Sequence, residues 1–121
     1  MVSVPSFILK KLYVKGSLKN SANGFLFELK NTLAEATIVS PIKIAIDGKE
    51  LNEKNIYLNV GKEKLNSSEI SQTKSLKFMV GTSIILEISG INLSPGQHKI
   101  DIRAQSKEFG ELSFSIQDNI I

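Results

Sequence analysis

The stretch GFLFELK at residues 24–30 decides the fold. In an extended chain Phe25, Phe27 and Leu29 share one side, while the opposite side is mostly polar. Alternation with a period of two is typical of a half-buried antiparallel strand. The cluster NSANG at residues 20–24 leads into this stretch and predicts a hairpin loop. The sequence around residue 27 therefore predicts a β-hairpin with an aromatic core face.

The same alternation recurs along the chain in segments of about six to ten residues, each bounded by turn residues. The first segment holds Leu12, Val14 and Leu18, and helical periodicity is nearly absent throughout. Pro41 interrupts one segment and predicts an edge position or a strand switch. The run from Thr82 to Ser89 is the richest in β-branched residues, which favours a strand near the centre of a sheet.

Short loops and the lack of crossover helices favour antiparallel pairing in two packed sheets. We therefore predict an all-β fold, an antiparallel β-sandwich of about eight strands, formed by residues 1–121 as a single domain. The stretch LSPGQH at residues 93–98 resembles the turn before a late strand in many immunoglobulin-like domains. An immunoglobulin-like sandwich is the specific fold that we predict.

Composition excludes several classes of protein. With 41% hydrophobic and 22% charged residues, the chain of 121 residues has the composition of an ordinary globular domain. The absence of cysteine excludes disulfides and thiolate chemistry and fits a reducing compartment. No apolar run approaches the ~20 residues that span a bilayer, and the N-terminus lacks a signal-peptide core. We expect a cytoplasmic protein without a membrane partner.

The net charge of +3 raises the question of nucleic-acid binding. Of 15 basic residues only Arg103 is an arginine, and the lysines are interleaved with glutamates. A nucleic-acid surface favours arginine and a basic stripe beside aromatic residues. We therefore do not expect a nucleic-acid partner.

His98 is the only histidine, and no HxH or HxxxH spacing surrounds it. We expect it to form a hydrogen bond at a sandwich corner in preference to catalysis or metal binding. Acidic residues on strands or beside a turn are expected to face solvent and not to form an acid–base pair, namely Glu28, Glu87, Asp101, Glu50 and Glu53.

Ser67, Ser68 and Ser71 lack a GxSxG or SxxK context and are interpreted as turn residues. They lie in a loop or in one helical turn with a serine cap. The eight glycines stand singly at strand breaks and form no phosphate-binding loop. We assign no catalytic, cofactor-binding or metal-binding residue and expect no cofactor in this chain.

Four stretches in this order resemble the small β subunit of C-glycoside deglycosidases: GSLKN at 16–20, GFLFEL at 24–29, IAIDGKE at 44–50 and LSPGQHKI at 93–100. The resemblance implies a β-sandwich that assembles with a separately encoded TIM-barrel subunit similar to sugar isomerases. That partner would hold a divalent metal and cleave the carbon–carbon bond of a 3-oxo C-glycoside. This chain would then be a non-catalytic accessory subunit of a hetero-oligomeric lyase, which supports or covers the active site.

Two segments are the first candidates for docking to such a partner, residues 31–37 and residues 61–75. The alternative function is a stand-alone module that binds carbohydrate or protein through loops. Its candidate stacking residues are the aromatics outside the expected core, namely Phe7, Tyr13, Tyr57 and Phe109. A small hydrolase is a third and weaker reading.

Overall fold

The computed structural model describes residues 4–121. A short helix α1 (Ser6–Leu9) continues into a 3-10 turn at Lys10–Leu12, and two further 3-10 turns occur at Glu53–Asn55 and Ser67–Glu69. The described residues also form eleven strands: β1 (Lys19–Ser21), β2 (Gly24–Lys30), β3 (Ala36–Ile38), β4 (Lys43–Ile46), β5 (Lys49–Glu50), β6 (Ile56–Val60), β7 (Glu63–Asn66), β8 (Leu76–Phe78), β9 (Ser83–Ser89), β10 (Gly96–Ser106) and β11 (Gly110–Ile120).

The strands form two antiparallel sheets. The first has the order β1-β2-β9-β6-β7, so that β9 lies at its centre, as the β-branched run predicted. In the second sheet β10 pairs with β11 along eleven positions. The other edge of β10 pairs with β4 and, further along, with β3. On their outer edges β4 pairs with β5 and β3 pairs with β8. The predicted antiparallel β-sandwich is therefore confirmed, with several short strands beyond the eight that were expected.

The core lies between the two sheets. Phe25 and Phe27 of β2 are fully buried, and they face the second sheet's inward side chains, such as Ile44 and Ile100, which are also fully buried. Inward and outward positions alternate along β2, β9 and β10, which is the burial pattern of a strand with one core face. Burying side chains of this size stabilises a fold by about 1.5–3 kcal/mol each.

The chain between β3 and β4 contains the break that Pro41 predicted. Ile38 lies opposite Ser106 and Lys43 lies opposite Arg103, so four residues of this segment face only two of β10. The Ser40 hydroxyl accepts a hydrogen bond from Gln105 N at 2.9 Å and replaces part of the lost ladder. Pro41 has no N–H to donate, and it therefore fits at an irregular position of this kind.

The tight turn between β4 and β5 uses Asp47 and Gly48. Their φ angles are 51° and 85°, both in the left-handed region that a two-residue hairpin turn of type I′ requires. Asp47 is the one non-glycine residue with positive φ in the part of the chain described. This turn brings the Asp47 carboxylate beside β10, where it becomes part of a polar cluster described below.

The first apolar segment is not a strand, contrary to the sequence reading. Leu9 and Leu12 are buried from α1 and the following 3-10 turn, and the chain then turns at Gly16. Only Tyr13 forms a β-bridge, to Leu29 of β2. The alternation of Leu12, Val14 and Leu18 arises from a helical turn followed by an extended segment, which period-two reasoning cannot distinguish from one strand.

The polar segment at residues 61–75 is more regular than the sequence indicated. It contains β7 and the 3-10 turn Ser67–Glu69, whose N-cap is Asn66 and not a serine. Ser67 is fully buried, and its hydroxyl exchanges two hydrogen bonds of 2.8 Å with the backbone of Ile42. This serine therefore fastens the turn to the start of β4. Within residues 4–121, no helix has the length and apolar character to cross a membrane.

Candidate functional site

An apolar groove of about 330 Å³ lies where the N-terminal helix meets the second sheet. It is lined by side chains from four separate parts of the chain: Ile8 and Leu9 of α1, Leu33 of the segment after β2, Phe78 of β8, and Phe109 and Leu112 of the β10–β11 hairpin. Its lining contains no ionisable side chain. The groove can therefore accept apolar groups and has no acid or base with which to act on them.

Exposed apolar side chains extend this surface. Among the residues described, five large hydrophobic residues are exposed, and three of them lie within two positions of a lining residue in the sequence. Phe7 is 69% exposed beside Ile8, while Met79 and Val80 are 49% and 56% exposed after Phe78. Adjacent exposed apolar side chains of this kind mark interaction surfaces more often than isolated ones do. We call the groove together with Phe7, Met79 and Val80 the apolar surface.

Asn31 fixes the shape of this groove. Its side-chain amide donates hydrogen bonds to the carbonyl oxygens of Ala34 and Phe78, at 2.8 and 2.7 Å, and its Oδ1 accepts from Leu33 N at 3.0 Å. Its backbone exchanges two further hydrogen bonds with Gly81 and Thr82. Because Asn31 is only 1% exposed, it holds the 31–36 segment against β8 in a single arrangement before any partner binds.

Thr37 and Glu108 close the same segment at its other end. The Glu108 carboxylate accepts hydrogen bonds from Thr37 N and from the Thr37 hydroxyl, both at 2.7 Å. These two bonds, the backbone N–H first, hold the pKa of Glu108 below its usual value. The carboxylate thus ties the segment before β3 to the turn that carries Phe109.

His98 has the hydrogen-bonding role that the sequence predicted, with partners that it did not reveal. Nε2 lies 2.8 Å from the Ser94 carbonyl oxygen, which can only accept, and Nδ1 lies 2.7 Å from Asp47 Oδ2. Both ring nitrogens can donate to these acceptors at once only when the ring is protonated, so the arrangement favours the imidazolium form. The Ser94 carbonyl and then the Asp47 carboxylate raise the pKa of His98. Asp47 also accepts from Lys99 N, and this bond and His98 lower the pKa of Asp47.

A second polar cluster lies directly across the β10–β11 ladder, where Asp118 is the register partner of His98. Asp118 Oδ2 accepts from the Tyr13 hydroxyl at 2.6 Å and from Gly16 N at 2.9 Å. Burial acts to raise the pKa of Asp118, but the bonds from Tyr13 and from backbone N–H groups outweigh it and keep the pKa low. Burial and the bond to Asp118 raise the pKa of Tyr13 well above its usual value.

Both clusters use their buried polar atoms internally. In the described part of the chain, every buried side-chain nitrogen or oxygen has a hydrogen-bond partner. A catalytic acid, base or nucleophile needs an atom free to reach a substrate. The His98 and Asp118 clusters therefore hold separate segments of the chain together.

The other carboxylates do not converge on one site. Glu87 of the first sheet accepts from Asn59 Nδ2 at 2.6 Å and pairs with Lys64 at 3.7 Å, whereas Asp101 lies in the second sheet and accepts from the Ser115 hydroxyl. All three strand carboxylates, Glu28 included, lie at outward positions of intermediate exposure, between buried residues of their strands. At the turn, Glu50 pairs with Arg103 and Glu53 pairs with Lys43. Between residues 4 and 121 no group of three His, Asp or Glu residues could hold a metal ion.

The remaining predicted residues have separate positions. Of the four candidate stacking aromatics, Phe7 and Phe109 belong to the apolar surface, whereas Tyr13 is bound to Asp118 and the Tyr57 ring lies 5.1 Å from the Lys64 ammonium. Ser68 bonds to Asn66 and Ser71 to Thr73 within their turns. Of the two predicted docking segments, residues 31–37 line the groove and residues 61–75 do not. Sequence reasoning missed Met79 and Val80.

These features define a small all-β domain with one apolar surface and internally paired polar groups. A comparison with models of protein families matches residues 8–121 to the family described as Hydroxymethylglutaryl-CoA reductase, N-terminal domain. The match covers nearly the whole chain, and the protein belongs to this family. A comparison with curated proteins found no match.

The family match corrects the resemblance to C-glycoside deglycosidases, which was wrong, as were the predicted C-deglycosylation and lyase roles. The physical reason lies in what the compared stretches form. Residues 24–29 are β2, residues 44–50 are the hairpin of β4 and β5, and residues 93–100 lead into β10. Strands and tight turns of this type recur in unrelated sandwiches, because backbone geometry and not site chemistry selects their residues. The barrel partner and its divalent metal remain predictions, and they no longer have the resemblance to C-glycoside deglycosidases as support.

Proposed function

We propose that this chain is a non-catalytic docking domain of a hydroxymethylglutaryl-CoA reductase, and that it contacts the catalytic part of that enzyme through the apolar surface. The family match over residues 8–121 is the observation that carries this proposal. It associates the domain with a reductase and with a position N-terminal to the region that acts on hydroxymethylglutaryl-CoA.

The chemistry of the domain supports a binding role. The apolar groove on its surface has no ionisable lining, and the buried titratable side chains of the two polar clusters are hydrogen-bonded to the domain itself. An exposed Phe that packs into a partner is the kind of residue that dominates interface energetics. Phe7, at 69% exposure, is free to do so.

Binding between the purified chain and the reductase catalytic polypeptide from the same organism tests this proposal. We expect the two to comigrate in size-exclusion chromatography and to give a measurable Kd by calorimetry. Folded proteins that elute separately at concentrations of about 10–100 μM, above the Kd of most specific complexes, would contradict the proposal.

A matched pair of variants tests the surface. Phe7→Ser removes an exposed aromatic residue of the apolar surface, and Ile85→Ser removes an exposed apolar residue from the outer face of the first sheet. We expect Phe7→Ser to weaken binding by roughly tenfold or more, as loss of an aromatic anchor does, and Ile85→Ser to leave Kd within about twofold. Equal effects of the two substitutions would place the interface elsewhere. Cytoplasmic location is part of this proposal, and fractionation of cells tests it.

A further inference from the structure

The charges around the apolar surface are unevenly distributed. Five lysines lie within two residues of a groove-lining position, namely Lys10, Lys11, Lys30, Lys77 and Lys107, and all five are exposed. Three glutamates meet the same criterion, Glu35, Glu108 and Glu111. We call these eight residues the rim, because they flank the lining residues in the sequence, and together they have an excess of two positive charges.

The lysines of the rim are also unpaired. None of the five forms an ion pair with a residue of the described chain, whereas five of the ten basic residues elsewhere do so, as Lys64 does with Glu87. Two of the three rim glutamates already accept hydrogen bonds inside the domain, Glu108 from Thr37 and Glu111 from Gln105. The domain itself therefore leaves part of the positive charge of the rim without an ion-pair partner.

Lys10 and Lys11 connect the positively charged rim to the apolar groove. They occupy the 3-10 turn between Leu9 and Leu12, whose side chains are buried and line the groove. The lysines are therefore held on the outer side of the same turn, next to the apolar floor. A long lysine side chain can cover apolar surface with its stem while its ammonium group stays at the rim.

We propose that the apolar surface binds an acidic amphipathic segment of the reductase polypeptide, with apolar side chains in the groove and Asp or Glu beside the lysines of the rim. This inference rests on the proposed function and specifies the partner's chemistry. A segment with an apolar stripe flanked by carboxylates matches both the uncharged lining and the unpaired lysines. A basic or an uncharged segment matches only the lining. Charge complementarity of this type acts mainly on the rate of association.

Two double charge reversals distinguish the rim from the rest of the surface. Lys10→Glu with Lys11→Glu alters the rim, and Lys49→Glu with Lys54→Glu alters two exposed lysines of β5 and a distant 3-10 turn that also lack ion pairs. We expect the rim variant to bind the reductase catalytic polypeptide roughly tenfold more weakly, through a lower association rate, and the control to change by less than about twofold. The far-ultraviolet circular dichroism and thermal midpoint of each variant show that it is folded, and the single substitution Lys11→Glu replaces the rim pair if that pair unfolds.

The outcomes separate the two proposals. If the wild-type chain does not bind the reductase, the docking function itself fails. If it binds, but the rim variant binds as tightly as the control, or the association rate does not fall when the ionic strength rises, the acidic partner is ruled out and the docking function stands. Overlapping synthetic peptides of the reductase sequence give a second readout. The strongest binder is expected to be acidic and amphipathic, and a basic or uncharged one would overturn the inference.

Discussion

The Asn31 side-chain amide donates a 2.7 Å hydrogen bond to the backbone carbonyl oxygen of Phe78, across 47 residues of sequence. This bond joins the segment after β2 to β8 at the edge of the second sheet, and the asparagine that makes it is only 1% exposed. The wall of the groove and its floor are thereby a single unit. Changes to Asn31 should therefore affect both stability and binding.

Asn31→Ala is expected to lower the free energy of unfolding by about 1–3 kcal/mol, because the buried carbonyl oxygen of Phe78 and the partly buried one of Ala34 lose their donor. Urea denaturation followed by circular dichroism measures this change. Thr32→Ala, at the exposed neighbouring position, is the control and should change the free energy by less than about 0.5 kcal/mol. Similar losses in the two variants would show that the hydrogen bonds of Asn31 are not what holds the segment.

His98 should make stability depend on pH near neutrality. Its pKa is raised above 6.5 in the folded protein, so its contribution is complete below pH 6.5 and is lost as the pH rises through the raised pKa. The free energy of unfolding, measured by denaturation between pH 5 and 9 (about the range in which histidine titrates), should fall over that interval. His98→Gln should flatten the curve, and an unchanged slope in this variant would contradict the role of the imidazolium.

Tyr13→Phe removes the hydroxyl that donates to Asp118 and leaves a buried carboxylate with two backbone donors. We expect a loss of about 1.5–3 kcal/mol in the free energy of unfolding, the usual value for a hydrogen bond to a charged group. The low pKa of Asp118 means that its contribution is present above the usual aspartate pKa and is lost as the pH falls. The difference in the free energy of unfolding between wild type and Tyr13→Phe should therefore shrink in acid. A difference that grows in acid would contradict the stabilising role of the Tyr13 bond to ionised Asp118.

Gly24→Ala should be among the most damaging single changes. A Cβ atom at Gly24 would lie 1.7 Å from the Ile88 carbonyl oxygen, in the backbone of the neighbouring strand β9. Because backbone atoms cannot move aside as a side chain does, we expect a loss of about 3 kcal/mol or more, or no folded protein. Gly61→Ala, where no atom lies within 4 Å but φ is 60°, is the comparison for backbone strain alone. The yield of folded protein and its thermal midpoint are measured for both variants, and a loss at Gly24 no greater than at Gly61 would contradict the clash with β9.

The fold was predictable because its decisive information is local. Alternation within β2, β9 and β10 records which side faces the core, and the turn at residues 47–48 carries the Asp-Gly pair that a tight hairpin requires. The end of β8 was less clear, because Val80 continues the alternation of Leu76 and Phe78. The chain turns at Gly81, with φ of 88°, and leaves Val80 exposed.

The candidate site was only partly predictable. Residues 31–37 and the aromatic residues Phe7 and Phe109 were identified from the sequence. The groove, however, exists only where α1, β8 and the β10–β11 hairpin meet, and the spacing of residues in the sequence does not predict that these elements meet. The partners of His98 were hidden for the same reason, since Asp47 lies 51 residues away. The order of strands and turns likewise could not separate one sandwich family from another.

The hydrogen bond between Tyr13 and Asp118 spans 105 residues and has a consequence for synthesis on the ribosome. Tyr13 also bridges to Leu29 of the first sheet, so the same residue fastens both sheets at one side of the sandwich. The nascent chain cannot make this closure until residue 118 has been added, and β10 must wait for β11 in the same way. Until then Leu9, Leu12 and the inward side of β2 lack their final cover. Until these last residues are made, the sandwich cannot close, and the uncovered apolar side chains are open to premature association.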